Sequence, residues 1–170
     1  MRIVVDGYNL IRQSPSLSQI EEQDLEAGRR ELVRRLSDYQ RRKRHQVVVV
    51  FDGAEGGHSS QKQEWMQGIS ITFSRRGETA DEVIKRLAAA GRGGVVIVTS
   101  DRELAGFAER QGATAIRAED FERKMMGYRE SFEKNDPVAE EKDRIFRKKK
   151  GAARRLPKAQ RRREARLLQL

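Results

Sequence analysis

RIVVDGYN, residues 2–9, runs a short apolar segment directly into a carboxylate, a glycine, an aromatic ring and an amide. Ile3-Val4-Val5 is β-branched throughout and does not alternate with polar residues, so it reads as a strand buried on both faces. The same grammar returns twice: QVVVVFDG (46–53) also ends on Asp-Gly, and GVVIVTSD (94–101) ends on Asp101. Segments of helical period separate these runs. Leu25, Leu32, Val33, Leu36 and Tyr39 recur over about 24–44. Val83, Ile84, Leu87 and Ala88 do so before Gly91, and Leu104, Phe107 and Ala108 do so after Asp101. Ile69, Ile71 and Phe73 alternate like a short strand, GATAI (112–116) supplies another, and an amphipathic helix is expected from Ala118 to about Lys134. Strands alternating with helices imply an α/β fold: a mostly parallel central sheet with helices on both faces. Residues 13–22, polar and carrying Pro15, read as a loop, as does GAEGGHSSQKQE (53–64).

In such sheets ligands bind beyond the carboxyl ends of the strands. Asp6, Asp52 and Asp101 each follow the last apolar residue of a different expected strand, so parallel strands bring all three to one rim. Asp81 joins them from a helix start, because TADE (79–82) fits a capping box with Thr79 as N-cap. SDRE (100–103) reads as a second such box. Taken singly, each aspartate has an ordinary explanation in helix-dipole or turn chemistry. Taken together, four acids on one rim repel by roughly 1–4 kcal/mol per close pair, and a bound cation relieves that cost. The expected ligands are all oxygens, which suits Mg²⁺ or Mn²⁺ better than zinc. A pair of such ions about 4 Å apart is a common clamp for phosphodiester hydrolysis.

The 170 residues suit one domain with an extension. The chain has no cysteine, which excludes disulfides and thiol chemistry, and no apolar run near the roughly 20 residues that span a bilayer. A cytoplasmic protein with no membrane association is the expectation. Charge is unevenly placed. Residues 137–170 hold 13 Lys and Arg against 4 Asp and Glu, whereas residues 1–136 hold 23 against 22. We therefore expect a domain over 1–136 and a basic tail over 137–170, partly helical or disordered, with Pro137 at the boundary. Lys148, Lys149, Lys150, Arg154, Arg155, Arg161, Arg162 and Arg163 are its candidate phosphate contacts. Without interleaved aromatics they would bind a polyanion in a salt-dependent, sequence-blind manner. In the body, Arg75 and Arg76 are candidates for phosphates flanking a scissile bond. The arginines from Arg29 to Arg44 are expected on a solvated helix face, and Trp65 in the core or at an interface.

VDGYN, VVFDG, ETADE and VTSD, in this order and spacing, resemble the NYN domain of the PIN-like nuclease superfamily, most closely its YacP-like branch of small bacterial proteins. The likeness runs from Arg2 to about Lys134. It implies a PIN-like three-layer sandwich and divalent-metal-dependent endoribonuclease activity on RNA. Some relatives are linked to ribosome-bound messenger RNA, which makes mRNA and the ribosome the implied partners. Carried over by position, Asp6, Asp52, Asp81 and Asp101 are the metal-site residues. Asn9 orients Asp6 or a water, and Glu78 and Ser100 lie just outside them. Two rivals stand beside this reading. One is a noncatalytic RNA- or ribosome-binding module on the same fold. The other is a phosphatase with Asp6 as nucleophile, which would want a second acid where Tyr8 stands. Oligomeric state leaves no mark in the sequence.

Overall fold

The computed structural model describes residues 1–53, 62–91, 94–133 and 158–170. Among these residues six strands form one sheet in the order β3-β4-β2-β1-β5-β6. They are β1 Arg2–Asp6, β2 Gln46–Phe51, β3 Lys62–Met66, β4 Ile69–Phe73, β5 Val95–Val98 and β6 Thr114–Ile116. All pair in parallel except β3, which returns antiparallel along β4. Among the described residues seven helices accompany them: α1 Gly7–Gln13, α2 Pro15–Gln23, α3 Leu25–Lys43, α4 Ala80–Ala90, α5 Arg102–Arg110, α6 Ala118–Glu133 and α7 Lys158–Gln169. No helix among the described residues is long and apolar enough to cross a membrane.

The apolar strands are buried on both faces, as their composition requires. In β1, Ile3 and Val5 join Val47, Val49, Val96 and Val98 in a core shared with α1, α2, α3, α6 and α7. Val4 points the other way, registers with Val48 and Ile97, and packs with them under α4 and α5. The result is a three-layer sandwich with β1 in the middle. The chain leaves β1 toward β2 on one side and returns from β4 through α4 to β5 on the other. The reversal of strand order therefore falls beside the carboxyl end of β1, where open α/β sheets place their crevice.

Three segments depart from the sequence reading. Residues 13–22 are helical apart from Ser14: Gln13 ends α1, the extended Ser14 caps α2 by accepting from the Leu17 N–H, and Pro15 is the first residue of α2, where a missing N–H costs nothing. Residues 62–64, expected in a loop, belong to the edge strand β3, and Trp65 on that strand is 67% exposed, so it is not core. The basic extension also packs at its end. The boundary expected at 136/137 lies outside the described residues, but α7 lies along β6 and puts Leu170 into the core at 1% exposure. The Tyr39 hydroxyl donates to the Leu170 carbonyl at 3.3 Å.

The arginines of α3 are not simply a solvated face. Arg35 is buried and bonds Glu31 and Ser16. Arg34 grips Glu31 with Nε and Nη2, both at 2.7 Å, and reaches Asp38 at 3.1 Å. Arg29 lies over the rings of Tyr8, Phe51 and Phe73, 5.1–5.6 Å from their centroids, and donates to the Tyr8 hydroxyl.

Candidate active site

A cleft of about 580 Å³ opens at the carboxyl ends of the central strands. Asp6, Asp52, Asp81 and Asp101 all line it, each from a different segment. Asn9, Thr79, Tyr8 and Arg12 complete much of its wall.

Each acid is set by local structure. Asp6 ends β1 and caps α1: one oxygen accepts from the Asn9 N–H, the other from the Thr99 hydroxyl, both at 3.2 Å. Gly7 is required by close approach, since a Cβ there would stand 2.3 Å from the Phe51 ring. Gly53 meets the same demand after Asp52, where a Cβ would fall 1.9 Å from the Ser74 carbonyl oxygen. The Asp-Gly pairs thus let an acid leave the strand end while other chain crosses directly behind it. The Ser74 hydroxyl steadies this crossing, accepting from the Gly53 N–H at 2.9 Å and donating to Asp52 at 3.4 Å. Asp81 sits in the first turn of α4, whose capping box between Thr79 and Glu82 forms as the sequence implied. The second expected box does not form. Asp101, not Ser100, is the N-cap of α5 and accepts from the Leu104 N–H at 2.8 Å, while Glu103 pairs with Lys85.

Electrostatics single this cleft out. Burial, with added repulsion from Asp81 and Asp101, pushes Asp6 up to about 6, against the lowering effect of its hydrogen bonds. Asp81 is raised as well, first by burial and then by Asp101. None of Asp6, Asp81 and Asp101 forms an ion pair with Lys or Arg among the described residues.

The remaining expected site residues divide. Asn9 contributes its backbone N–H to Asp6, and its side-chain oxygen accepts from the Ser100 N–H at 2.8 Å, which ties α1 to the loop after β5. Ser100 is a structural clip: its hydroxyl donates to Glu119 at 2.8 Å and accepts from the Ala118 N–H at 3.2 Å. Glu78 does not line the cleft. It is buried against Arg86 at 2.6 Å and Arg75 at 3.7 Å, which lower its pKa. Arg75 is thereby engaged, and Arg76 is exposed beside it. On α7, Arg161 and Arg162 are exposed while Arg163 pairs with Asp120. Lys148, Lys149, Lys150, Arg154 and Arg155 lie outside the described residues.

The YacP-like NYN domain matches residues 3–168. The chain belongs to the YacP-like NYN domain family. It is 34% identical over 88 residues to YacP of Bacillus subtilis (strain 168), a stretch covering 52% of this chain and about half, 51%, of that relative. Two crystal structures of Rae1 (YacP) from Bacillus subtilis share the fold. One, of a point mutant, superposes with a TM-score of 0.65 at 24% identity, covering 99% of this chain and 91% of that one. The other gives 0.63 at 28% identity, covering 86% and 81%. The architecture is thus the nuclease-like α/β fold of this family.

Two residues of this YacP-like NYN domain escaped the sequence reading. Thr99 is buried, donates to Asp6, and accepts from the Asp101 N–H at 3.2 Å, so one hydroxyl joins two strand-end acids. Its signal was its place inside VTSD. Arg12 faces the cleft one helical turn after Tyr8, its guanidinium 5.6 Å from that ring's centroid. Reading residues 13–22 as a loop concealed how far helix continues past Tyr8.

The donor set fits a hard divalent cation in kind, because among the described residues the cleft offers oxygen ligands and no His or Cys. In number it is spare. Among the described residues no three His, Cys, Asp or Glu side chains are gathered closely enough to hold one ion. That arrangement suits an ion taking one or two carboxylates and keeping several waters, as Mg²⁺ does.

Proposed function

We propose that this YacP-like NYN domain is a divalent-metal-dependent endoribonuclease that hydrolyses phosphodiester bonds in single-stranded RNA, with messenger RNA on the ribosome as the natural target. The carrying observation is the convergence of Asp6, Asp52, Asp81 and Asp101 on one cleft while Asp6, Asp81 and Asp101 make no ion pair among the described residues. Such an arrangement is unstable by itself and becomes favourable when a cation enters.

Mg²⁺ or Mn²⁺, when bound, would supply Lewis acidity toward the phosphate and lower the pKa of an attacking water. The chain's own residues do the rest. Asp6 and Asp101 are held by caps that occupy one carboxylate oxygen each and by Thr99 between them, so they are aimed before any ligand arrives. Asp81 rides on the rigid first turn of α4. Arg12 places a cation on the cleft wall beside Tyr8, suited to a phosphate oxygen and a base or sugar face. A cation standing before Asp6, whose pKa burial pushes up to about 6, would bring it back down toward the ordinary carboxylate range.

One observation favours the noncatalytic RNA- or ribosome-binding module instead: the acids are not drawn tightly together. The test is incubation of the full chain with unstructured RNA and Mn²⁺, with and without ribosomes, beside Asp6→Asn and Asp81→Asn. We expect cleavage to fall in both variants by more than the roughly 10–100-fold that loss of an outer partner costs a metal site. RNA left intact under every condition, with binding that survives both substitutions, would establish the module.

A further inference from the structure

The segment Thr99–Asp101 borders two concavities. Asp101 faces the acidic cleft, whereas Thr99 and Ser100 line a smaller pocket of about 220 Å³. Three arginines from three elements line that second pocket: Arg102 at the start of α5, Arg117 just after β6, and Arg163 on α7. Among the described residues that line it, Glu109 is the one acid. Arg163 is paired with Asp120, but Arg102 and Arg117 form no ion pair among the described residues.

Like charges gathered around a hollow repel, and a surface shaped for stability alone would intersperse them with acids. A second feature points the same way. Gly106 sits in the middle of α5 and lines this pocket, although glycine inside a helix costs roughly 0.5–1 kcal/mol relative to alanine. Packing does not demand it, since a Cβ there would meet nothing nearer than the Arg110 guanidinium at 3.4 Å. The residue keeps the hollow open. The hollow is below the size of sites for larger organic ligands and suits a compact group such as a phosphate. The Thr99 and Ser100 hydroxyls are already donating to Asp6 and Glu119, so the guanidiniums are left to recognise the ligand.

We propose that this arginine pocket is a phosphate subsite, which holds a backbone phosphate of RNA next to the one presented to the cleft. The subsite rests on the reading of the cleft as a nuclease centre. Its chemistry is blind to base identity, because guanidiniums grip phosphate oxygens. It also gives α7 a part in binding, since docking along β6 delivers the third arginine to the rim beside the acids.

The test is binding of a fluorescein-labelled pentauridylate to the full chain in EDTA, followed by anisotropy across salt concentrations. Arg102→Ala/Arg117→Ala should weaken binding about tenfold and reduce the log–log salt slope by about 0.7, the share of one phosphate on a single strand. Arg102→Lys/Arg117→Lys should recover part of the affinity, since charge returns without the planar fork. Gly106→Leu, which adds a good helix former and removes no charge, should weaken binding comparably by filling the hollow. In the wild-type chain, inorganic phosphate should shift the amide resonances of residues 99–106, and not in the double alanine variant. Binding by that variant within twofold of wild type, at an unchanged slope, would overturn the subsite, as would a wild-type chain that does not bind the oligonucleotide. Wild-type cleavage of the same RNA with Mn²⁺ reads the nuclease proposal separately. Cleavage with unaltered variant binding sinks the pocket alone, and pocket-dependent binding without cleavage sinks the nuclease alone.

Discussion

Asp6 and Glu31 are both carboxylates in well-packed surroundings, and the fold drives their acidities in opposite directions. Asp6 is pushed up to about 6 by burial in the cleft. Glu31 is held down at about 2 by hydrogen bonds from Arg34 and Arg35. The acids along α3 have guanidiniums within salt-bridge distance: Glu31 with Arg34 and Arg35, and Asp38 with Arg34 and Arg41. Among the described residues, the cleft acids Asp6, Asp81 and Asp101 do not. Cations are not scarce, for the chain has 36 Lys and Arg against 26 Asp and Glu. The difference is therefore one of placement. The acids of the helix are neutralised within the fold, while the cleft acids are left with the charge that the proposed cation would offset.

The largest effect that could break this comparison concerns Asp6 itself. An acid whose folded pKa is raised from 3.8 to about 6 binds its proton more tightly folded than unfolded. Stability without metal therefore falls as pH rises from about 3.8 to about 6 and is flat above that. The shift corresponds to at most about 3 kcal/mol. Asp6→Asn should remove this slope and stabilise the metal-free protein at pH 7.5 by up to that amount. The amide can still accept from the Asn9 N–H and donate to the Thr99 oxygen. Urea unfolding at pH 4 and pH 7.5 measures it. A variant that is less stable than wild type at pH 7.5 would mean that Asp6 is a structural cap and not a strained ligand.

The next effect sharpens the same contrast from the other side. A cation that neutralises the cleft should stabilise the folded chain, by about 2.7 kcal/mol at a hundredfold excess over its dissociation constant. The thermal unfolding temperature at pH 7.5 should therefore rise with Mn²⁺ or Mg²⁺ for the wild type and stay level for Asp6→Asn and Asp81→Asn. An equal rise in all three would place the ion elsewhere, and none in any would remove the metal from the account.

How much of this was readable in advance follows from what each feature depends on. Strands β1, β2 and β5 were legible because burial on both faces forces unbroken apolar runs. The four aspartates were legible because parallel strands fix where their ends meet. Helix α2 was not, because Pro15 looks like a breaker until Ser14 is recognised as its cap. Strand β3 is an exposed edge with a polar composition and no core face to mark it. The packing of α7 hid because it rests on Leu170, partly buried Leu167 and a terminal carbonyl, and no apolar stripe was needed. Within the site, sequence adjacency misled. Glu78 stands three residues from Asp81 and yet turns to Arg86, while Thr99, 93 positions from Asp6, touches it. Side-chain direction and long-range register decide such contacts, and neither is written in local spacing.

The smallest effect tests the neutralised half of the comparison. A carboxyl whose folded pKa is depressed from 4.5 to about 2 contributes stability that is fully present above 4.5 and is lost as pH falls toward 2. Arg34 is 40% exposed, so solvent screening trims its share, and the buried Arg35 carries more of the remainder. Glu31→Gln should cost about 1 kcal/mol at pH 7 and only a small part of that at pH 2, where about half of the wild-type acid is itself protonated. The pH trends thus have opposite signs. Removing the acid at 31 costs stability at neutral pH, and removing the acid at 6 adds it. Denaturant unfolding of the two variants side by side measures both. Losses of equal sign would show that the cleft carboxylate is as well satisfied as the helical one, and the case for a cation would end there.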